Sequence, residues 1–285
     1  MPNPDTIIFL HIPKTAGSTL NAILQKQYKR QQIYYLGANT QESIRSYLDL
    51  ADEEKKSIRL VTGHTAYGFH EYIPGSSTYF TFFRDPVERV VSFYHFVKNN
   101  EQHYLNKAAV NEFDGIKPFI TSGITTMMDN GQTRLISGAW LDPGFGEINE
   151  QILAQAKTNL SKKFSVVGLT EQFDATLILF KEIFNWQDIK YMRKNVTKVA
   201  PVERILTAEE KEAVVSLNQY DIALYDYAQT LFEQQIAAIG PDFSRQLANF
   251  QRQNQLYQSI GEPIRKTIRW ARQHSIRTAI RRRFT

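Results

Sequence analysis

The start of the chain restricts its fold more than any other stretch. Thr6 to Ile12 (TIIFLHI) is a nearly continuous apolar run, rich in isoleucine, that ends at Pro13. A run of this kind suits a strand buried on both faces, as in a parallel sheet. It opens into a small polar turn, Lys14-Thr15-Ala16-Gly17-Ser18-Thr19, after which Leu20, Ile23 and Leu24 recur at helical spacing. Strand, glycine-containing turn and helix make one βα unit with a loop of phosphate size.

The pattern recurs. Thr78 to Phe83 (TYFTFF) is a second aromatic and β-branched run that breaks at Arg84-Asp85-Pro86. Asp85 suits an N-cap, Pro86 the first helical position, and Glu88 completes a capping box. Val87, Val90, Val91 and Tyr94 then supply an apolar helical face. The spacing predicts a third strand over 165–169 and a helix over 171–184. Thr207 with Glu210 forms another capping box, and a long helix opening near Asp221 stops at Gly240-Pro241. Strands alternating with helices define an α/β fold with a central, largely parallel sheet. Past Pro241 the chain turns polar (QRQNQ) and then basic. The expected division is therefore an α/β domain over 1–241 and a helical extension over 242–285.

Composition narrows the function classes. The 285 residues hold 34 Lys+Arg against 29 Asp+Glu, a formal charge of +5. From Pro263 onward there are seven Arg, one Lys and no acid, so the preceding chain carries 26 basic and 29 acidic residues. Basicity is a property of the tail, and no nucleic-acid partner is expected. Cysteine is absent, which excludes disulfides, thiolate metal sites and cysteine nucleophiles. No run reaches the roughly 18 apolar residues that span a bilayer, and the first residues lack the features of a secretory signal. The expected location is cytoplasmic, with the basic tail as a candidate peripheral contact for an anionic membrane or glycan.

A turn between a buried strand and a helix N-terminus offers backbone N–H groups and the positive end of the helix dipole. Gly17 permits close approach of an anion, Ser18 and Thr19 add hydroxyls, and Lys14 adds a mobile charge. The set reads as an anion cradle or as an ordinary capped βα turn. It is no Walker A loop: the lysine precedes the glycine by three residues, and neither GKS nor GKT occurs. Arg84 at the end of its strand falls on the same rim if the strands are parallel, and Ser92 lies two helical turns on. Arg84 could fork onto a phosphate or simply pair with Asp85 or Glu88.

PKTAGST after an apolar strand, followed about 70 residues later by FRDPVERVVSFYHF, resembles the two cofactor motifs of sulfotransferases. The branch most similar includes heparan sulfate uronosyl 2-O-sulfotransferases and their bacterial relatives. The resemblance implies a P-loop-like three-layer fold and 3′-phosphoadenosine 5′-phosphosulfate (PAPS) as donor, adenosine 3′,5′-bisphosphate as product, and no metal. It places the 5′-phosphosulfate at Lys14, Thr15, Ala16, Gly17, Ser18 and Thr19, and the 3′-phosphate at Arg84 and Ser92. Thr62-Gly63-His64 resembles a G-H element whose histidine is the proposed base. Arg193-Lys194-Asn195-Val196-Thr197-Lys198-Val199-Ala200-Pro201 resembles a late loop that closes over the nucleotide, which adds Arg193, Asn195 and Lys198 to the cofactor set. Asn195 stands where threonine is usual. The likeness runs over residues 6–235.

Sulfuryl transfer, by analogy with phosphoryl transfer, depends on positioning and charge stabilisation. His64 is the candidate base and Lys14 the group that stabilises the leaving phosphate, with Glu71 as rival base. His70 can replace His64 or bind the acceptor, and His11 can orient the loop. Gln132 and Arg134, in an element similar to one in bacterial members, are candidates to line the acceptor cleft, or else mark a helix start with a surface arginine. The expected acceptor is a hydroxyl of a carbohydrate or glycolipid. Two other readings are a P-loop-type nucleotide kinase, weakened by the missing GK[ST], and a non-catalytic α/β body docked by its tail.

Overall fold

The computed structural model describes residues 5–37, 39–140, 142–192 and 206–281, with backbone alone at 262 and from 264 onward. Strand β1 (Thr6–Leu10) is buried along its whole length, as its unbroken apolar run predicts. It is the middle strand of a sheet ordered β2-β3-β1-β4-β5. The others are β2 (Ile33–Leu36), β3 (Leu60–Gly63), β4 (Ser77–Phe83) and β5 (Phe164–Leu169). Every pairing is parallel, so each connection must return across the sheet and most carry helices.

Helix α1 (Gly17–Gln27) joins β1 to β2, and α2 (Thr40–Leu48) with α3 (Asp52–Ser57) joins β2 to β3. Five helices separate β4 from β5: α4 (Pro86–Lys98), α5 (Asn106–Asn111), α6 (Ile116–Thr121), α7 (Gly131–Ser137) and α8 (Glu150–Lys163). After β5 come α9 (Phe173–Phe184), α10 (Ala208–Leu217), α11 (Gln219–Ile239) and α12 (Phe243–Arg281). This is the α/β architecture with a central parallel sheet that the alternating pattern implies. Strands β2 and β3 are additions, each only four residues long.

Local chemistry explains the helix starts. Asp85 accepts a hydrogen bond from the Glu88 N–H at 2.9 Å, with Pro86 at the first position. At Thr207 and Glu210 both halves of the capping box form. Phe80 and Phe82 pack on Phe180 of α9, with ring centroids 4.9 and 5.5 Å away. Alternation along β4 therefore turns Tyr79 to the opposite face. The outer edge of β5 is closed by a side chain of α11: Gln235 accepts from the Val167 N–H and donates to the Ser165 carbonyl, both at 3.2 Å. An edge covered in this way offers no template for another strand.

The expected boundary at 241/242 needs correcting. Phe243 and Phe250 join the hydrophobic core, Leu247 packs against it, and Asn254 is buried. These four positions form one stripe of α12, and Asn254 accepts from the Tyr191 N–H at 2.8 Å. The start of α12 therefore belongs to the body. Among the described residues no helix is long and apolar enough to cross a membrane.

Candidate active site

Strand register builds the rim. Leu10 lies opposite Gly63 on one side and Thr81 on the other, so the chain leaves β1, β3 and β4 at neighbouring points. His11 and His64, each next after the last residue of its strand, stack with ring centroids 4.8 Å apart. Gly63 makes this close packing of β2 and β3 feasible: its φ is +146°, and a β-carbon there would meet the Leu36 carbonyl oxygen at 2.3 Å.

The turn after β1 holds two non-glycine residues in the left-handed region, Lys14 (φ 74°) and Ala16 (φ 63°). Such conformations persist only where the surroundings enforce them, and they concentrate at functional sites. One enforcing contact is the buried Thr15, whose hydroxyl donates to the Ile12 carbonyl at 2.7 Å. Alternating backbone conformations of this type gather N–H groups into an anion-binding concavity. Helix α1 then begins at Gly17 with no side-chain cap on Ala16, and Ser18 is exposed. The positive end of the helix dipole thus faces the turn without a protein anion on the cap residue.

Arg84 joins this turn directly. Its Nη1 donates to the Lys14 carbonyl at 3.3 Å while Nη2 pairs with Glu88 at 3.0 Å. Arg84 thus has the Glu88 partner that the ion-pair alternative gave it, and it also reaches the backbone of the Lys14 turn. Glu88, Ser92 and Phe96 follow at intervals of four along α4, which places them on one helix face. Phe96 lies beneath the Lys14 ammonium at 4.1 Å from the ring centroid, so the half-buried Ser92 sits between the two anchored contacts. Burial, with the Arg84 charge adding to it, brings the Lys14 pKa down to about 8. Two cations crowded in this way relax when an anion is placed between them.

The histidines divide. Burial, then the neighbouring His64 and Lys14, holds the His11 pKa at about 3, so His11 is neutral. His64 reaches solvent at one edge, yet the desolvated side lowers its pKa, opposed by a hydrogen bond with the His11 backbone. A neutral imidazole on the rim can accept a proton. His70 lies elsewhere. Tyr79 accepts from the Gly68 and His70 N–H groups and so directs its own proton to His70 Nδ1, 3.0 Å away. That bond turns His70 toward the face opposite Phe80 and leaves its other nitrogen protonated when neutral. Tyr79 also precedes Arg84 by five residues, about 16 Å of strand. His70 is not brought to the Lys14 turn. Glu71, the rival base, is exposed beside it in a short 3-10 turn.

Gln132 and Arg134 do not line a cleft. Both are fully buried, which corrects the expectation that they meet an acceptor and also the alternative of a surface arginine. Arg134 is consumed by Asp129 and by the carbonyls of Pro143 and Gly144. Gln132 is bonded to the backbone of Arg84. Arg193, Asn195 and Lys198 lie outside the described residues. The sequence reading overlooked Phe96, although its spacing from Ser92 was visible, and also the buried Arg89 and Asp221, whose pairing joins α4 to α11 at 3.6 Å.

The residues present suit a polyanionic nucleotide: an uncapped helix start, two left-handed turn residues, an ammonium and a guanidinium meet on one rim. Among the described residues no group of three or more His, Asp or Glu side chains could hold a metal ion.

Fold and rim together define an α/β protein with a parallel five-stranded sheet and the Lys14 turn at the end of its central strand. The chain belongs to the galactose-3-O-sulfotransferase family, whose sequence model matches residues 1–261. That match bears out the sulfotransferase resemblance, and it runs on into α12. Heparan-sulfate 6-O-sulfotransferase 2 of Gallus gallus is 26% identical over 288 residues, covering 81% of this chain and 67% of that protein. Galactosylceramide sulfotransferase of Mus musculus is 24% identical over 268 residues, covering 87% and 62%. Heparan-sulfate 6-O-sulfotransferase 3 of Homo sapiens is 27% identical over 280 residues, covering 81% and 58%. The chain thus spans about two thirds or less of the length of these relatives. Among solved structures, a mouse sulfotransferase complexed with PAP aligns with a TM-score of 0.37 and 12% identity, covering 86% of this chain and 89% of that one.

Proposed function

We propose that this chain transfers a sulfuryl group from PAPS to a hydroxyl of a carbohydrate or glycolipid. The observation that carries the reading is the convergence of the Lys14 turn, Arg84 and His64 on neighbouring strand ends. Relatives named for heparan sulfate and galactosylceramide support the acceptor class.

The donor supplies the sulfuryl group when bound. The Lys14 turn, from Lys14 to Thr19, holds its 5′ end through backbone N–H groups and the start of α1. Arg84 and Ser92 hold its 3′-phosphate. His64 takes the proton of the acceptor hydroxyl at a ring nitrogen, and the Lys14 ammonium stabilises charge on the departing 5′-phosphate oxygen. Phe96 keeps that ammonium directed into the turn.

The test is a screen of oligosaccharide and glycolipid acceptors with isotopically labelled PAPS, read by mass spectrometry. The expected result is label on a sugar hydroxyl that disappears in Lys14→Ala. Full transfer by Lys14→Ala would overturn the assignment of the turn. Absence of transfer to every sugar acceptor, with nucleotide still bound, would overturn the acceptor class.

A further inference from the structure

The side chain of Gln132 is spent on a single residue. Its Oε1 accepts from the Arg84 N–H at 3.1 Å and its Nε2 donates to the Arg84 carbonyl at 3.0 Å. The amide thus acts as a short piece of neighbouring strand at a point where β4 has already ended, at Phe83. The residues on either side are fixed as well. The Phe83 carbonyl accepts from Thr170 N–H and hydroxyl, at 2.8 and 2.9 Å. The Asp85 N–H donates to Glu171 at 2.9 Å.

Gln132 is itself held in place. Its N–H donates to Asp221 at 3.0 Å, and the N–H and hydroxyl of Thr133 donate to the same carboxylate at 2.7 and 2.8 Å. Gln132, Thr133, Asp221 and Arg89 are all fully buried. Gln132, Thr133 and Asp221 satisfy one another, and buried bonds of this kind hold rigidly, since each broken one leaves a desolvated polar group. The path runs from Asp221 on α11, through the start of α7, to the backbone of Arg84, whose guanidinium reaches the Lys14 carbonyl.

We infer that Gln132 is a positioning residue: its amide fixes the Arg84 backbone and so aims the guanidinium at the 3′-phosphate of the nucleotide. The inference rests on the reading of Arg84 as the group that holds the 3′-phosphate. Gln132 touches neither donor nor acceptor. Its influence is on how well one charge is placed, and a loss of about 1 Å in placement is enough to cost a strong effect.

Calorimetry can separate the two claims. Binding of adenosine 3′,5′-bisphosphate and of adenosine 5′-monophosphate is measured for the wild type, Gln132→Met, Gln132→Glu, Arg84→Ala and the Gln132→Met/Arg84→Ala double variant, with thermal unfolding as a check. The ratio of the two affinities reports the 3′-phosphate alone. Arg84→Ala should reduce this ratio about tenfold or more. Gln132→Met should reduce it severalfold while leaving the monophosphate affinity almost unchanged, and the double variant should be no worse than Arg84→Ala. Gln132→Glu keeps the acceptor for the Arg84 N–H but repels its carbonyl; it should also lower the ratio, and it serves as the reading if Gln132→Met does not fold. A ratio preserved in the Gln132 variants but lost in Arg84→Ala overturns the positioning role and leaves the site reading intact. Equal weakening of both nucleotides in the Gln132 variants overturns it as well, since that marks a merely structural role. A ratio preserved in Arg84→Ala itself overturns both claims.

Discussion

The imidazole of His11 fills the space that a side chain at position 17 would need: a β-carbon on Gly17 would lie 1.9 Å from His11 Nε2. The first helical residue and the end of the central strand are therefore in mutual contact, and the glycine is required by packing. Gly17→Ala must push the His11 ring or the turn aside. Overpacking of this kind costs about 1–3 kcal/mol, and here the turn that moves is the one proposed to hold the nucleotide. We expect a lower melting temperature and at least about tenfold weaker binding of adenosine 3′,5′-bisphosphate. Unfolding scans with calorimetry check both, and wild-type affinity in the variant would separate the His11 contact from anion binding.

Lys14 should make nucleotide affinity depend on pH. Its pKa lies at about 8 because of burial and Arg84, and only the ammonium attracts an anion. Affinity is full below that value and falls as the pH rises through it, with a bound anion moving the fall upward. Lys14→Arg stays charged throughout, so its affinity should be flat between pH 7 and 9. A titration series that shows the same fall in Lys14→Arg would remove Lys14 as its cause.

His64 should govern the acid limb of turnover. The neutral ring is the active form, and desolvation lowers its pKa below the usual imidazole value. Turnover should then rise with pH to a plateau, with the midpoint of the rise below that of an ordinary imidazole. His64→Ala should lose about 100- to 10,000-fold in kcat while binding adenosine 3′,5′-bisphosphate normally. Glu71→Gln should stay within about twofold of the wild type. The reverse pattern, with Glu71→Gln inactive and His64→Ala active, would transfer the role to Glu71.

His11 predicts acid sensitivity of the fold. Its pKa is about 3 in the folded protein, because of burial first and then His64 and Lys14, against about 6.5 in an unfolded chain. Between these values the unfolded chain binds a proton that the folded one does not. The contribution is complete above pH 6.5 and is lost as the pH falls, by up to about 1.4 kcal/mol per pH unit. Urea unfolding at pH 7.5, 6 and 5 should show a smaller slope in His11→Gln than in the wild type. An identical slope would assign the sensitivity to other histidines.

Those parts of the fold whose cause is local were legible in the sequence. The strand at Thr6–Leu10 and the helix at Pro86–Lys98 follow from an unbroken apolar run and from the Asp85, Pro86, Glu88 cap. The strands at Ile33–Leu36 and Leu60–Gly63 escaped because four residues carry no readable period. For the site, Lys14 and Arg84 could be brought to one rim from strand ends alone, whereas His64 came only from the likeness of Thr62-Gly63-His64 to a family element. Gln132 and Arg134 could not be read. A polar side chain looks like surface until its partners are known, and Asp221 lies 89 residues beyond Gln132. Phe243, Phe250 and Asn254 were hidden similarly, inside a stretch whose composition is polar.

Strand β1 is third of five, and the Lys14 turn and Arg84 leave from it and from its neighbour β4. The margin beyond β3 is made of other pieces, β2 and α2, and one of them already touches the rim: the Thr40 hydroxyl donates to the His64 carbonyl at 3.0 Å. Through this bond a shift of α2 would be passed to the backbone of His64, whose ring lies against that of His11.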